Sequence, residues 1–183
     1  SLLFFLLSAA SKEQAAFLAP SLLAVDYLRK RDLRKASVWL EKIPFFLIAL
    51  AFGLAAIWAQ SQTGYLKPLS GEAVSFGNRL LLGCSGLLMY LFKWIAPLNL
   101  SAYYPYPFDA LQPAPSLFWL TTLTIPAVLF LLFWLPRKSR PLTFGLWFFL
   151  INIFVMLRFL QANPGDFYIA ERYMYIAALG LAF

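Results

Sequence analysis

Three polar groups interrupt an otherwise apolar chain with side chains able to do chemistry. Lys12 and Glu13 sit in Ser11-Lys12-Glu13-Gln14, between the apolar runs 1–10 and 15–25. Arg79 is followed by a loop that carries Tyr103, Tyr104 and Tyr106. Glu171, Arg172 and Tyr173 are consecutive near the end. A phosphate calls for lysine or arginine, and arginine can give it two parallel hydrogen bonds. A carboxylate nearby can orient an acceptor hydroxyl or take its proton. Each group also has a plainer reading. Lys12 and Glu13 can pair at a loop, and Arg79 can snorkel to an interface. Glu171 and Arg172 can cap and anchor a helix, and the tyrosines can form an aromatic belt.

Other chemistries are excluded by what the chain lacks. It has one cysteine, Cys84, and no histidine. No intrachain disulfide, Cys/His metal site or Ser-His-Asp arrangement can form from these residues. Cys84 reads as a small packing residue. The net charge of +7 does not point to nucleic acid, because the cations are concentrated beside apolar runs. Six lie at Arg29, Lys30, Arg31, Arg34, Lys35 and Lys42, and three at Arg137, Lys138 and Arg140. That pattern follows the positive-inside rule of membrane proteins. Asp26 is expected to end its helix beside Arg29, and Arg158 to anchor a helix end. Asp109 and Asp166 fall in solvated loops.

The elements that must position these groups are membrane helices. The chain is 62% hydrophobic and 19% aromatic, with a mean hydropathy of +0.73. Soluble domains are about half apolar. Apolar runs at 1–10, 12–28, 43–61, 117–135, 142–160 and 170–183 predict spans or parts of spans, against the ~20 residues a crossing needs. The predicted fold is an all-α polytopic integral membrane helix bundle, one domain over 1–183. Both ends of the sequence fall inside apolar runs, which reads as a piece of a larger membrane domain. Residues 1–10 lack the basic flank of a signal peptide.

Ser11 and Gln14 have capping-box spacing, which predicts a helix start at Ser11. Running to Leu28, that helix is roughly 25 Å long, short of the ~30 Å hydrocarbon core. Pro20 predicts a kink. Lys12 and Glu13 would then lie below the outer surface, where only a protein-lined or watery cavity tolerates them. Residues 28–42 form a basic connection whose charges are solvated or touch anionic headgroups, and 62–75 a polar loop. Residues 77–97 are ambiguous. A crossing there would put the two basic connections on opposite sides. The charge rule therefore favours an embedded or interfacial helix that returns to the outer face. Residues 98–116 form a proline-broken loop, and 161–169 another, with a turn signal at Asn163-Pro164-Gly165. On this topology all three polar groups reach the outer side.

Several stretches, in order, carry a resemblance. They are Ser11-Lys12-Glu13-Gln14 with Val25-Asp26-Tyr27-Leu28, then Arg79 with Tyr90-Leu91-Phe92-Lys93 and Pro97-Leu98-Asn99-Leu100. Tyr103-Tyr104-Pro105-Tyr106-Pro107 and Glu171-Arg172-Tyr173-Met174-Tyr175-Ile176, with Gly180 beyond, complete the set. Together they resemble the transmembrane-and-tetratricopeptide O-mannosyltransferases and their bacterial relatives, in the GT-C glycosyltransferase superfamily. Ala177-Ala178 departs from the family's usual Pro-Ser.

The resemblance implies a partial GT-C fold. Such enzymes move a sugar from a polyprenyl-phosphate carrier to a protein or glycan acceptor on the periplasmic or lumenal face. The donor would be a polyprenyl-phosphate-linked sugar, with mannose among the candidates. Lys12, Arg79 and Arg172 would line the carrier-phosphate pocket, Glu13 and Glu171 would orient them, and Tyr104 and Tyr173 would stack on sugar or isoprenoid. The family's catalytic carboxylate would lie upstream of Ser1, and any tetratricopeptide repeats downstream. No covalent cofactor is implied. A divalent metal is compatible with the resemblance, but no ligand set for it is readable. The expected partners are the bilayer, the lipid-linked sugar, the acceptor and other membrane subunits, without nucleic acid. The basic connections would be cytoplasmic, with a bacterial inner membrane preferred over the endoplasmic reticulum. Two other readings stand beside this one: a non-catalytic subunit or scaffold, and a lipid-carrier ligase or transporter. Transport would need a continuous polar path, which the apolar runs 117–135 and 142–160 do not offer.

Overall fold

A computed structural model describes residues 1–62, 74–109, 111–154, 156–157, 159 and 167–183, apart from the side chains at 13, 14 and 60. Most of the polar loop 62–75, Arg158, Asp166 and the turn signal at 163–165 lie outside the described residues.

All regular structure among the described residues is helical. Helix α1 (Leu2–Ser11) breaks at Lys12, and a 3-10 turn over Glu13–Phe17 leads into α2 (Leu18–Leu28). A short α3 (Ala36–Leu40) precedes α4 (Ile43–Gln62). Helix α5 (Phe76–Ile95) follows, and then a long irregular connection. A 3-10 stretch (Ser116–Leu123) runs directly into α6 (Thr124–Lys138). Helix α7 (Arg140–Phe154), a 3-10 turn (Glu171–Tyr173) and α8 (Met174–Leu181) complete the chain.

The expected start of a helix at Ser11 is corrected. Ser11 ends α1, and its hydroxyl donates backward to the Leu7 carbonyl at 2.8 Å. A serine still inside a helix finds that carbonyl before any amide ahead of it. Lys12 is the extended break residue, and no side chain caps the turn that follows. Residues 12–28 are thus two elements rather than one. Pro20 falls in the first turn of α2, where its missing N–H removes no helical bond.

Two predicted spans are shorter than expected. The helix predicted over 142–160 ends at Phe154, where residues 156–157 turn away. The segment 170–183 holds a 3-10 turn and an eight-residue helix, about 12 Å long. By contrast, the helical runs Ala36–Ala59 and Ser116–Lys138 are long and apolar enough to cross a membrane. Their apolar side chains point outward, with 6% and 0% of the respective windows buried. The core helix of a soluble protein would hide that surface.

Helices α2 and α7 run antiparallel. Asn152 donates to Ser21 Oγ at 3.0 Å near one end. Tyr27 packs on Trp147 at 4.9 Å between ring centroids toward the other, and the Arg140 guanidinium lies 5.7 Å from the Tyr27 ring. The end of α2 and the start of α7 therefore adjoin, which brings the basic connections 28–42 and 137–140 to one end of the structure. At that end, Arg31 N–H donates to Asp26 O and Lys30 N–H to Tyr27 O. With Lys30 at φ 60°, this is a Schellman turn. It swings Arg31 back onto Asp26.

Asp26 lies in the last turn of α2, beside Arg29 in sequence as expected, and its ionic partners are Lys42 and Arg31. It is 4% exposed and Lys42 is 8% exposed, and the two pair at 2.8 Å. Arg31 reaches Asp26 at 3.2 Å and holds Glu41 through two bonds of 2.7 and 2.8 Å. The connection 28–42 is thus partly a buried ion-pair network and not wholly solvated. The network ties α2 to the start of α4.

Helix α5 is bound along its length to the irregular connections at the opposite end. Asn78 donates to the Gln112 carbonyl at 2.6 Å. Ser85 and Tyr168 share a hydroxyl bond of 2.6 Å. Tyr90 donates to the Ala170 carbonyl at 3.1 Å, and Lys93 to the carbonyls of Leu98 and Asn99. The main apolar core lies beneath, formed by Leu82, Leu87 and Tyr90 of α5, Phe149 and Ile153 of α7, and Ala177 of α8. Helices α7 and α8 meet through glycine. A Cβ built on Gly180 would lie 2.4 Å from the Gly145 carbonyl oxygen, and one on Gly145 would lie 2.3 Å from that of Gly180.

Candidate functional site

The break at Lys12 lies at the end of α1, about 15 Å along the helix from Ser1. Helix α7 brings Asn152 to the same level, and the turn before α8 brings Arg172 and Tyr173. Lys12, Asn152, Arg172, Tyr173, Tyr175 and Ile176 line one pocket of about 80 Å³. Two predicted cations from distant parts of the sequence thus meet at the end opposite the basic connections. Among the described residues the lining contains no carboxylate.

Arg172 is held by aromatic groups. One guanidinium nitrogen donates to Tyr103 Oη at 3.0 Å and another to Tyr173 Oη at 3.3 Å. Its charge lies 5.1 Å from the Tyr103 ring centroid, 5.2 Å from Tyr173 and 5.9 Å from Phe167. Such contacts attract the cation without neutralising it. Among the described residues Arg172 has no ion pair.

The neighbouring residue works differently. Glu171 Oε1 accepts from the Tyr104 hydroxyl and from the Ser101 amide at 3.1 Å. Backbone bonds from Tyr104 N–H to Ile169 O at 3.0 Å and from Tyr168 N–H to Tyr104 O at 2.8 Å lie alongside. Tyr103 and Tyr104 thus pair with Arg172 and Glu171, fixing the tyrosine-rich loop against the start of α8. The Lys93 ammonium lies 5.1 Å from the Tyr104 ring. Burial, and then the hydrogen bond to the Glu171 carboxylate, raise the Tyr104 phenol above its ordinary pKa.

No protein-family model, curated protein or solved structure matches the chain.

Of the seven predicted site residues, Lys12, Arg172 and Tyr173 line the pocket. Glu171 and Tyr104 brace the loop beside it. The Glu13 side chain lies outside the described residues. Arg79 does not line the pocket. It sits at the start of α5, about 16 Å along the helix from Tyr90, whose hydroxyl contacts Ala170. Its Nε is buried without a hydrogen-bond partner among the described residues, and its guanidinium lies 5.8 Å from the Phe76 ring.

Asn152, Tyr175 and Ile176 escaped the sequence reading. Asn152 was the legible one, an amide within an apolar run. It donates to both Phe148 O and Ser21 Oγ. No group of three or more His, Cys, Asp or Glu side chains gathers among the described residues, so no metal-ligating set is assigned.

Proposed function

We propose that this chain belongs to a polytopic membrane protein that holds the phosphate of a lipid-linked donor between Lys12 and Arg172. We read it, with the resemblance described above, as part of a GT-C glycosyltransferase acting on a polyprenyl-phosphate-linked sugar and a protein or glycan acceptor. One observation carries the reading: Lys12 and Arg172, from opposite ends of the sequence, line the same small pocket. The two long apolar helices with outward-facing side chains support placement in a bilayer, and by the positive-inside rule the pocket, opposite the basic connections, would face the non-cytoplasmic side.

The chemistry follows from where charge develops. The acceptor oxygen attacks the anomeric carbon, and the bond to the phosphate oxygen breaks with its electron pair left on phosphate. Fixed cations at that oxygen stabilise the leaving group. Arg172 would supply paired donors, Lys12 a point charge, and the Tyr173 hydroxyl a further polar contact. A pocket of about 80 Å³ suits the phosphate and leaves sugar and isoprenoid outside it. By the resemblance, the proton of the acceptor hydroxyl passes to a carboxylate upstream of Ser1.

The test is transfer by the full protein with Arg172→Ala and Lys12→Ala, scored beside folding. Both variants should fold, with Arg172→Ala losing transfer and Arg172→Lys retaining part of it. Full transfer by Arg172→Ala removes the pocket from the reaction. A pocket that holds a phosphate between two cations also serves a second reading, a binding subunit without catalysis. That reading predicts donor binding with no transfer to any acceptor.

A further inference from the structure

A second cavity opens near the basic end. It is a groove of about 570 Å³ between α1, α2 and the start of α4. Phe4, Phe5, Leu18, Leu22 and Phe45 line it, together with Glu41 and Lys42. Its walls are apolar apart from that ionic pair.

We propose that this groove seats one acyl chain of an anionic phospholipid, with the headgroup phosphate at the basic connection. This rests on bilayer placement but not on sugar transfer. Charge selects the occupant. Residues 26–42 hold six cations against three carboxylates. Within that set, Asp26, Glu41, Arg31 and Lys42 satisfy one another. Arg29, Lys30, Arg34 and Lys35 are exposed and form no ion pair among the described residues, which leaves a net positive surface on the connection that ends at Glu41 and Lys42. Anionic headgroups collect at such juxtamembrane clusters. The self-neutralised network of Glu41 and Lys42 lets an uncharged chain pass beside it to the surface. The outward faces of α4 and α6 meet lipid as ridges. This site is concave and carries an ionic pair, so it should hold one lipid longer than they do.

The test is photo-crosslinking of the full protein in nanodiscs. Phosphatidylglycerol carrying a diazirine on its acyl chain is compared with the same probe on phosphatidylcholine. The labelled residues are then located by mass spectrometry. Phosphatidylglycerol should label Phe4, Phe5, Leu18, Leu22 and Phe45 in preference to the outer faces of α4 and α6. Arg29→Gln, Arg34→Gln and Lys35→Gln should each lower that preference roughly fivefold. Ser8→Trp, which narrows the groove, should abolish labelling there and leave the outer faces labelled. Equal labelling by both lipids, labelling spread evenly over the apolar surface, or no labelling in the groove overturns the proposal. The three surface variants leave the core untouched, so they remain informative if Ser8→Trp fails to fold.

Discussion

Lys12 and Arg172 come from opposite ends of the sequence and line one pocket. Lys12 is placed by the break between α1 and its following turn, and Arg172 by the turn that starts α8. Neither forms an ion pair among the described residues. Two cations facing one small space repel each other, and an anion between them relieves that cost.

The Tyr104–Glu171 bond should be visible in an alkaline titration. Burial and the carboxylate both favour the neutral phenol. Its folded pKa is raised above the unfolded value, so the stabilisation is fully present below about pH 10. It is lost as pH rises through the raised folded value. A difference spectrum of the wild type against Tyr104→Phe should show a phenolate appearing above pH ~10. Glu171→Gln should move it back toward that value.

The glycine contact between α7 and α8 should tolerate no side chain. An alanine Cβ at Gly180 would lie 2.4 Å from the Gly145 carbonyl oxygen and 2.7 Å from the Phe149 amide. Both are backbone atoms, so α8 must move. Gly180→Ala should destabilise the protein by about 1–3 kcal/mol, read as a lower melting temperature in detergent. Because α8 follows directly on the Arg172 turn, the same variant should weaken phosphate binding.

The ion pair between Asp26 and Lys42 predicts an asymmetric result. Removing Lys42 leaves the buried Asp26 carboxylate with Arg31 as its one ion-pair partner among the described residues, so Lys42→Met should destabilise, by less than the ~3–5 kcal/mol of a fully stranded charge. The double variant Asp26→Asn/Lys42→Met removes both charges and should recover most of that loss. Equal destabilisation by the single and double variants would show that the pair contributes only through packing.

Lys30 adopts φ 60° at the position after α2 where glycine is favoured. Lys30→Gly should therefore stabilise the protein by about 1 kcal/mol, measured as a higher melting temperature. A fall would mean that the Lys30 side chain makes a stabilising contact.

The helices were legible where long apolar runs met proline or charge, as at Ile43–Gln62, Phe76–Ile95 and Ser116–Lys138. The failures have local causes. Ser11 fits a capping box by spacing, but its hydroxyl bonds the turn behind it. Nothing within residues 142–160 marks a stop at Phe154. That boundary depends on Leu157, Tyr168 and Ile169 packing under α5, contacts that pattern does not encode. The meeting of Lys12 and Arg172 followed from sidedness alone, because charge placement orders the ends of helices. Sidedness does not fix position within an end. Arg79 therefore shared the expectation, while α5 carries it away from the pocket. The pairing of Asp26 with Lys42 was not legible because an intervening turn separates the two.

The most direct test is binding of a polyprenyl phosphate to the full protein in nanodiscs of phosphatidylcholine, with the phosphate-free polyprenol as control. The wild type should bind the phosphate and not the alcohol. Arg172→Ala should weaken binding roughly 10- to 150-fold, as expected for a lost charge-assisted bond, while Arg79→Ala leaves it unchanged. Equal binding of phosphate and alcohol, or unaltered binding by Arg172→Ala, would contradict the account.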